Sequence, residues 1–366
     1  MLVLLATLSL LAFTHLLTPC PPRRWVVAWA VAAGLTLTTH YYGLLVVVPQ
    51  AAWLLWAHRR ERTIWIAVGA VAIVALALLP LALSQTSNTA WIDKTPLDLR
   101  LGQIAPQFVL GTGAPGRRWL KLAGGLGVLV AAILLALRAD DRERHGALVV
   151  GTLAFAGTVL SLVLILVGFD ELITRNVIVV LIELIVLVAV GLGARRAGIF
   201  GLVGTATLCV VVLIATIAVA VDWRLQRPNW RVVAQVLESN RPAHAGSAIL
   251  VENDDSLEPL AAYMPGLNVI VGPGAFVQEL NVVAAVKGPS DSLCWWGAAC
   301  HVPRAPLDTS IHINGFQRVG PVVHVNQFSI VRLRATGPVR LTREEVTRAL
   351  ENTPVKSYAL LVQWPT

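Results

Sequence analysis

The feature that most constrains this chain is a succession of apolar runs, each close to the thickness of a lipid bilayer, that stops at Val221. A hydrocarbon core is roughly 30 Å thick and an α-helix rises about 1.5 Å per residue, so a run of about 20 apolar residues crosses it. Eight runs are legible, over residues 1–18, 25–39, 43–57, 64–84, 119–137, 147–167, 177–193 and 199–221. Composition agrees, because 56% of the residues are hydrophobic and only 14% are charged, against about 25% charged in a soluble domain. The sequence therefore predicts a membrane all-α helical bundle of about eight spans over residues 1–222, with an external loop at 85–118. A soluble extracytoplasmic α/β domain follows over residues 223–366.

The placement of charge narrows the function classes. The formal net charge of +8 could suit nucleic acid, but 16 of the Lys and Arg residues lie in the stretch up to and including Asp222, where 10 acidic residues oppose them. Ten arginines sit in four short connections: Arg23 and Arg24; Arg59, Arg60 and Arg62; Arg138, Arg142 and Arg144; Arg195 and Arg196. That is the pattern that orients spans with these connections in the cytoplasm. It is not the clustered basic face that a nucleic acid requires, so nucleic acid is excluded as a partner and membrane lipid is expected. The parity works only if the stretch from Trp25 to Ala57 breaks at His40-Tyr41-Tyr42-Gly43. Trp25, Trp29, Trp53, Trp56 and Trp65 then fall near the inner interface, and Trp91, Trp119 and Trp223 near the outer one. Residues 2–17 have no basic residue before them and a basic pair after, the reverse of a cleaved signal peptide. They are expected to be an internal span whose upstream partner lies outside the sequence.

The external parts carry their own signals. Leu97 to Leu110 has the pattern of an amphipathic helix lying in the interface. Gly111–Gly116 reads G-x-G-x-x-G, but no strand precedes it and Pro115 interrupts it, so a dinucleotide site is set aside. Beyond Asp222, residues 228–240 read as a helix, and 248–252, 267–271, 328–333 and 358–363 as strands. Cys294 and Cys300, external on this topology, are expected to form a disulfide. His301, His312 and His324 match no standard zinc spacing, so no metal or other cofactor is assigned, although a divalent ion is left open. Cys20 and Cys209 lie in or beside spans and read as inert thiols.

Polar groups at membrane depth are costly and therefore candidates for function. Glu183 sits mid-run in VIVVLIELIVLVAV. It either lines the bundle interior without chemistry or belongs to a site. Arg175, after Asp170 and Glu171, has the planar fork that binds phosphate, or it anchors the span at the interface. His40, Tyr41 and Tyr42 line a cavity at the helix break or simply pack it. Arg117 and Arg118 stand just outside a span on the non-cytoplasmic side, against the orienting rule. Asp93 and Lys94 are expected to be solvated.

Four stretches resemble the polyprenyl-phosphate-sugar-dependent glycosyltransferases of the C-type superfamily, which includes protein O-mannosyltransferases and aminoarabinose transferases. They are LTLTTHYYGLLVVVPQAAWLLW at 35–56, the loop at 84–112 with Trp91-Ile92-Asp93 and FVLG at 108–111, and TRNVIVVLIELIVLVAVGL at 174–192. The fourth is RPNWRVVAQVLES followed by EPLAAYMPG in the soluble part. The resemblance implies transfer of a sugar from a polyprenyl-phosphate carrier to an acceptor on the outer membrane face, by an inverting displacement with an acidic base. It makes Arg175 a ligand of the lipid phosphate; His40, Tyr41, Tyr42, Glu183, Arg117 and Arg118 are further substrate-binding candidates on their own chemistry and position. Members carry the catalytic aspartate in a first external loop that has no counterpart in these residues. The catalytic group is accordingly unassigned and the chain is expected to be inactive as it stands, with Asp170 or Glu171 able to substitute only if they reach the cavity. A transporter or flippase, or a non-catalytic scaffold, are the competing expectations.

Overall fold

The computed structural model describes residues 1–19, 21–85, 92, 95–111, 117–221, 229–239, 246–251, 254–269, 274–285, 311–325, 328–351 and 360–363. The chain divides into two compact units, Met1–Thr216 and Ile217–Thr366, the boundary falling inside the helix Gly198–Val221.

The first unit is helical: α1 (Leu2–Leu16), α2 (Arg23–Thr39), a 3₁₀ turn (Tyr41–Gly43), α3 (Leu44–Ala57), α4 (Arg62–Gln85), α5 (Leu97–Leu110), α6 (Arg117–Arg138), α7 (Asp141–Leu166), α8 (Val180–Leu192) and α9 (Gly198–Val221). Among the described residues, four helices are long and apolar enough to cross a membrane, and these are α4, α6, α7 and α9. The expectation of eight spans is thereby corrected. The other four runs do form helices, α1, α2, α3 and α8, of 15, 17, 14 and 13 residues. At the helical rise these are about 20–25 Å long, short of a hydrocarbon core. The shortening has local causes. The break at His40 divides α2 from α3, and Val177–Val179 belong to a wound connection rather than to α8.

The break itself is built as its residues dictate. His40 is extended (φ −162°, ψ 126°) and its Nδ1 accepts from the Tyr42 amide at 3.2 Å. Gly43 packs so close to α2 that a Cβ there would lie 2.7 Å from Thr36 Cγ2 and 3.0 Å from its carbonyl oxygen. The chain can turn back on itself at that point only without a side chain.

Hydrogen bonds fix which connections share an end of the bundle. His58 Nε2 lies 2.7 Å from the Leu16 carbonyl oxygen, joining the α1–α2 and α3–α4 connections. Asp140 and Glu143 form a reciprocal cap on α7, and Glu143 Oε1 accepts from the Arg195 amide at 3.0 Å, joining the α6–α7 and α8–α9 connections. At the other end, Tyr41 and Tyr42 reach Glu171, and Arg100 reaches Asp170. Within the bundle helices pack through glycines. A Cβ at Gly157 of α7 would meet the Leu45 carbonyl oxygen of α3 at 2.5 Å, and one at Gly191 of α8 would collide with the Ala131 carbonyl of α6.

The tryptophans separate into two kinds. Trp56, Trp65 and Trp119 are exposed, as an interfacial belt requires, whereas Trp29 is fully buried and donates to Gln50 Oε1 at 2.9 Å. Trp29 is a core residue, because its indole N–H has an internal acceptor. Trp91 and Trp223 lie outside the described residues.

The second unit is a seven-stranded sheet with helices. Its elements are α10 (Trp230–Ser239), β1 (Ser247–Val251), α11 (Asp254–Tyr263), β2 (Asn268–Val269), β3 (Ala275–Ala285), β4 (Phe316–Arg318), β5 (Val323–Val325), β6 (Phe328–Leu341), α12 (Arg343–Glu351) and β7 (Leu360–Gln363). The order is β2-β7-β1-β3-β6-β4 with β5 also on β6; among the described residues β1 and β3 pair in parallel and the other pairs are antiparallel. One face packs on α10 and α11 through Val233, Leu237, Ile249, Leu260 and Phe328. The other carries Leu250, Leu280, Val331 and Leu333 against Val346 of α12. Beside a bulge after Val277, buried Glu279 is clasped by Arg332 and, at 3.1 Å, by Arg334 of the neighbouring strand.

Candidate functional site

A polar constellation in the helical unit gathers at the end where α2, α3, α5 and the α7–α8 connection meet. Glu171 stands at its centre, 3% exposed. The hydroxyls of Tyr41 and Tyr42 both donate to its Oε2, at 2.7 and 2.8 Å. The two phenols converge on one oxygen with their rings side by side, centroids 4.8 Å apart. Asn176 Nδ2 donates to the Glu171 carbonyl oxygen at 2.8 Å and closes the loop. Three donors thus hold a buried carboxylate and its backbone in place of water.

Two cations frame this carboxylate differently. Arg175 is exposed, and its charge bears on both His40 and Tyr41. Arg100 is buried, 5% exposed, and forks onto Asp170, with Nη1–Oδ1 2.5 Å and Nη2–Oδ2 2.7 Å. Its Nη1 also reaches the Leu172 carbonyl oxygen at 3.4 Å. That hydrogen-bonded guanidinium holds the Asp170 carboxyl below the usual carboxylate range. A bidentate arginine–carboxylate pair fixes orientation as well as charge. It ties α5 to the residue next to Glu171.

Of the sequence candidates, the structure brings together His40, Tyr41, Tyr42 and Arg175. Glu183 is elsewhere, within α8 and 1% exposed. Arg117 and Arg118 open α6; Arg118 is exposed, and among the described residues no hydrogen bond or ion pair joins it to the cluster. Cys294, Cys300, Asp93, Lys94, His301 and Cys20 lie outside the described residues, as does Gly111–Gly116 apart from Gly111, which ends α5 with φ 72°. Helix α5 covers Leu97–Leu110, the bounds read from sequence. Cys209 is an exposed free thiol. His312 is exposed, while His324 Nδ1 lies 2.9 Å from Ser329 Oγ.

Sequence reasoning missed Arg100 and Asn176. Arg100 had a signal: it is the only basic residue in Leu97–Leu110. Comparison of the chain with family models, curated proteins and solved structures finds no match to any of them. What the constellation can do is therefore argued from its chemistry alone. A carboxylate held by two phenols can accept a proton, and an exposed arginine four residues further along the same connection can take an anion.

Proposed function

We propose that the chain belongs to a membrane glycosyltransferase that moves a sugar from a polyprenyl-phosphate carrier to an acceptor at the outer membrane face. In this reading Arg175 holds the lipid phosphate and Glu171 receives the proton of the acceptor hydroxyl. The observation that carries it is the placement of both on one short connection, Asp170–Asn176, with Glu171 oriented by Tyr41 and Tyr42. The chemistry needs both parts: a cation for the departing phosphate, and a base that an internal network keeps aimed. Four helices of crossing length supply the lipid setting that such a carrier requires. The resemblance of residues 35–56 and 174–192 to the C-type transferases points the same way. In this reading the second unit is extracytoplasmic.

The experiment is photo-cross-linking of a diazirine-bearing polyprenyl phosphate to the full chain in nanodiscs, alongside a transfer assay with the corresponding lipid-linked sugar. Arg175→Ala should weaken cross-linking about tenfold or more, the scale of one charge-assisted hydrogen bond. Glu171→Gln should leave cross-linking intact and abolish transfer. Cross-linking that is indifferent to Arg175 would remove the phosphate from this site and the reading with it.

A further inference from the structure

Among the described residues, the deepest unpaired polar groups lie away from that cluster, inside the bundle. Glu183 is 1% exposed and neither of its carboxyl oxygens has a hydrogen-bond partner. Gln50 is fully buried; its Oε1 accepts from Trp29 Nε1 at 2.9 Å and from Ser9 Oγ at 3.3 Å, while its Nε2 is unpartnered. Two acceptor oxygens and an amide donor are thus left over in one apolar bundle. A buried polar group that stays dry and unpaired forfeits its full desolvation cost.

The helices carrying them share two neighbours, α7 and α1. Leu45 of α3 and Val180 of α8 both meet α7 at Gly157, where a Cβ would lie 2.5 Å from the Leu45 carbonyl oxygen and 3.3 Å from Val180 Cγ2. Both helices start from the end at which Tyr41 and Tyr42 hold Glu171, so they run in the same sense. Glu183 lies three residues beyond Val180 and Gln50 five beyond Leu45, about 4.5 and 7.5 Å along their helices. Glu183 is also four residues before Leu187, which packs on Gly151 of α7, so Glu183 shares the face of α8 turned to α7. Helix α1 closes the group: it carries Ser9 and packs on both α3 and α8.

Among the described residues no counter-charge is built for Glu183. Helix α3 has no charged residue, α1 has only His15, stacked on Trp25, α6 has none between Lys121 and Arg138, and α7 none between His145 and Leu166. A carboxylate and an amide without partners in such a setting are what buried water satisfies, since water donates to one and accepts from the other. A carboxyl group without a cation at membrane depth is also where proton binding is expected.

We propose that α1, α3, α7 and α8 enclose a hydrated site in which Glu183 binds and releases a proton, with Gln50 as the fixed partner of its water. On uptake, a hydrated proton passes to a Glu183 oxygen and leaves water behind; release is the reverse, with no other reactant. The site is separate from the Glu171 cluster and does not rest on glycosyl transfer.

The test is infrared difference spectroscopy of the full chain in lipid, in H₂O and D₂O. The C=O stretch of a protonated carboxyl should be present, move on transfer to D₂O, and vanish in Glu183→Gln. Gln50→Leu should keep that band but shift its frequency. N,N′-dicyclohexylcarbodiimide, which captures protonated carboxyls in apolar surroundings, should modify Glu183 in the wild type, with the adduct located by peptide mass mapping. Absence of the band in the wild type, or its persistence in Glu183→Gln, overturns proton binding at Glu183. A band that does not respond to D₂O, or to Gln50→Leu, overturns the shared hydrated site. Because the wild-type spectrum and adduct decide the first point, a misfolded variant cannot hide the answer.

Discussion

At the scale of single residues, the stability of the rim depends on how many donors Glu171 keeps. Tyr42 is 5% exposed and its hydroxyl points inward, whereas Tyr41 is partly open to solvent. Removing the Tyr42 hydroxyl leaves a buried carboxylate short of a donor that water cannot easily replace. Tyr42→Phe should therefore destabilise the unit by about 1–3 kcal/mol, and Tyr41→Phe by distinctly less. Denaturant unfolding of both variants in one detergent measures the difference, and equal losses would mean that burial does not set the effect. These tyrosines were legible in sequence because a polar HYYG between two apolar runs has no reason to be there except as a break. Their acceptor was not. Glu171 follows Asp170 with nothing local to say which one turns inward, since that is set by Arg100, 71 residues before Glu171, and by Asn176 behind it.

At the scale of elements, the bundle is organised by one latch and a few glycines. The Arg100–Asp170 fork attaches α5 to the α7–α8 connection, and its pH dependence has a definite sign. The folded-state pKa of Asp170 lies below its unfolded value. The stabilisation is thus fully present above the unfolded value, about 3.9, and is lost as pH falls through the folded one. The stability difference between wild type and Asp170→Asn should be flat near neutrality, of order 2 kcal/mol, and shrink towards zero below pH ~4. Chemical denaturation at a series of pH values measures it, and a difference that grows on acidification would contradict the latch. The glycines give a second contrast. Gly157→Ala forces a methyl group onto the Leu45 backbone carbonyl 2.5 Å away, which should cost about 1–3 kcal/mol. Gly34→Ala, with nothing within 4 Å, should be neutral or stabilising by up to about 1 kcal/mol. Thermal melts of the two variants separate close packing from propensity.

Helix lengths were the least legible part of this level. Hydropathy measures how long an apolar run is, not where its helix stops, and so 177–193 read as a span although α8 begins only at Val180. In the second unit the short strands near 248, 268 and 360 were readable. β3 was not, because AFVQELNVVAA is neither alternating nor uniformly apolar and is bulged where it pairs with β6. β6 runs through Gly337-Pro338 to Leu341, where turn residues would have ended it.

At the scale of the whole molecule, the decisive property is which side of the membrane each end of the bundle faces. The hydrogen bonds establish that the connections near residues 17, 58, 140 and 195 form one end, because α3 and α7 are antiparallel and each connection is tied to its neighbour. The same four connections hold ten arginines. The opposite end holds Glu171, Arg175, Arg100 and α5. If positive charge orients the bundle, the arginine end is cytoplasmic and the Glu171 end is external. Sidedness reporters should read accordingly: fusions after Arg60 and after Arg142 should report the cytoplasm, and fusions after Leu110 and at the C-terminus the outside. Arg117 and Arg118 oppose this orientation, and they are outnumbered. The inverted result would have a specific consequence. It would put Glu171 and Arg175 among cytoplasmic nucleotide-linked donors rather than at the outer face, and the polyprenyl-phosphate reading would fall. The proton site at Glu183 would be untouched, since neither its burial nor its missing partners depend on which end faces the cell interior.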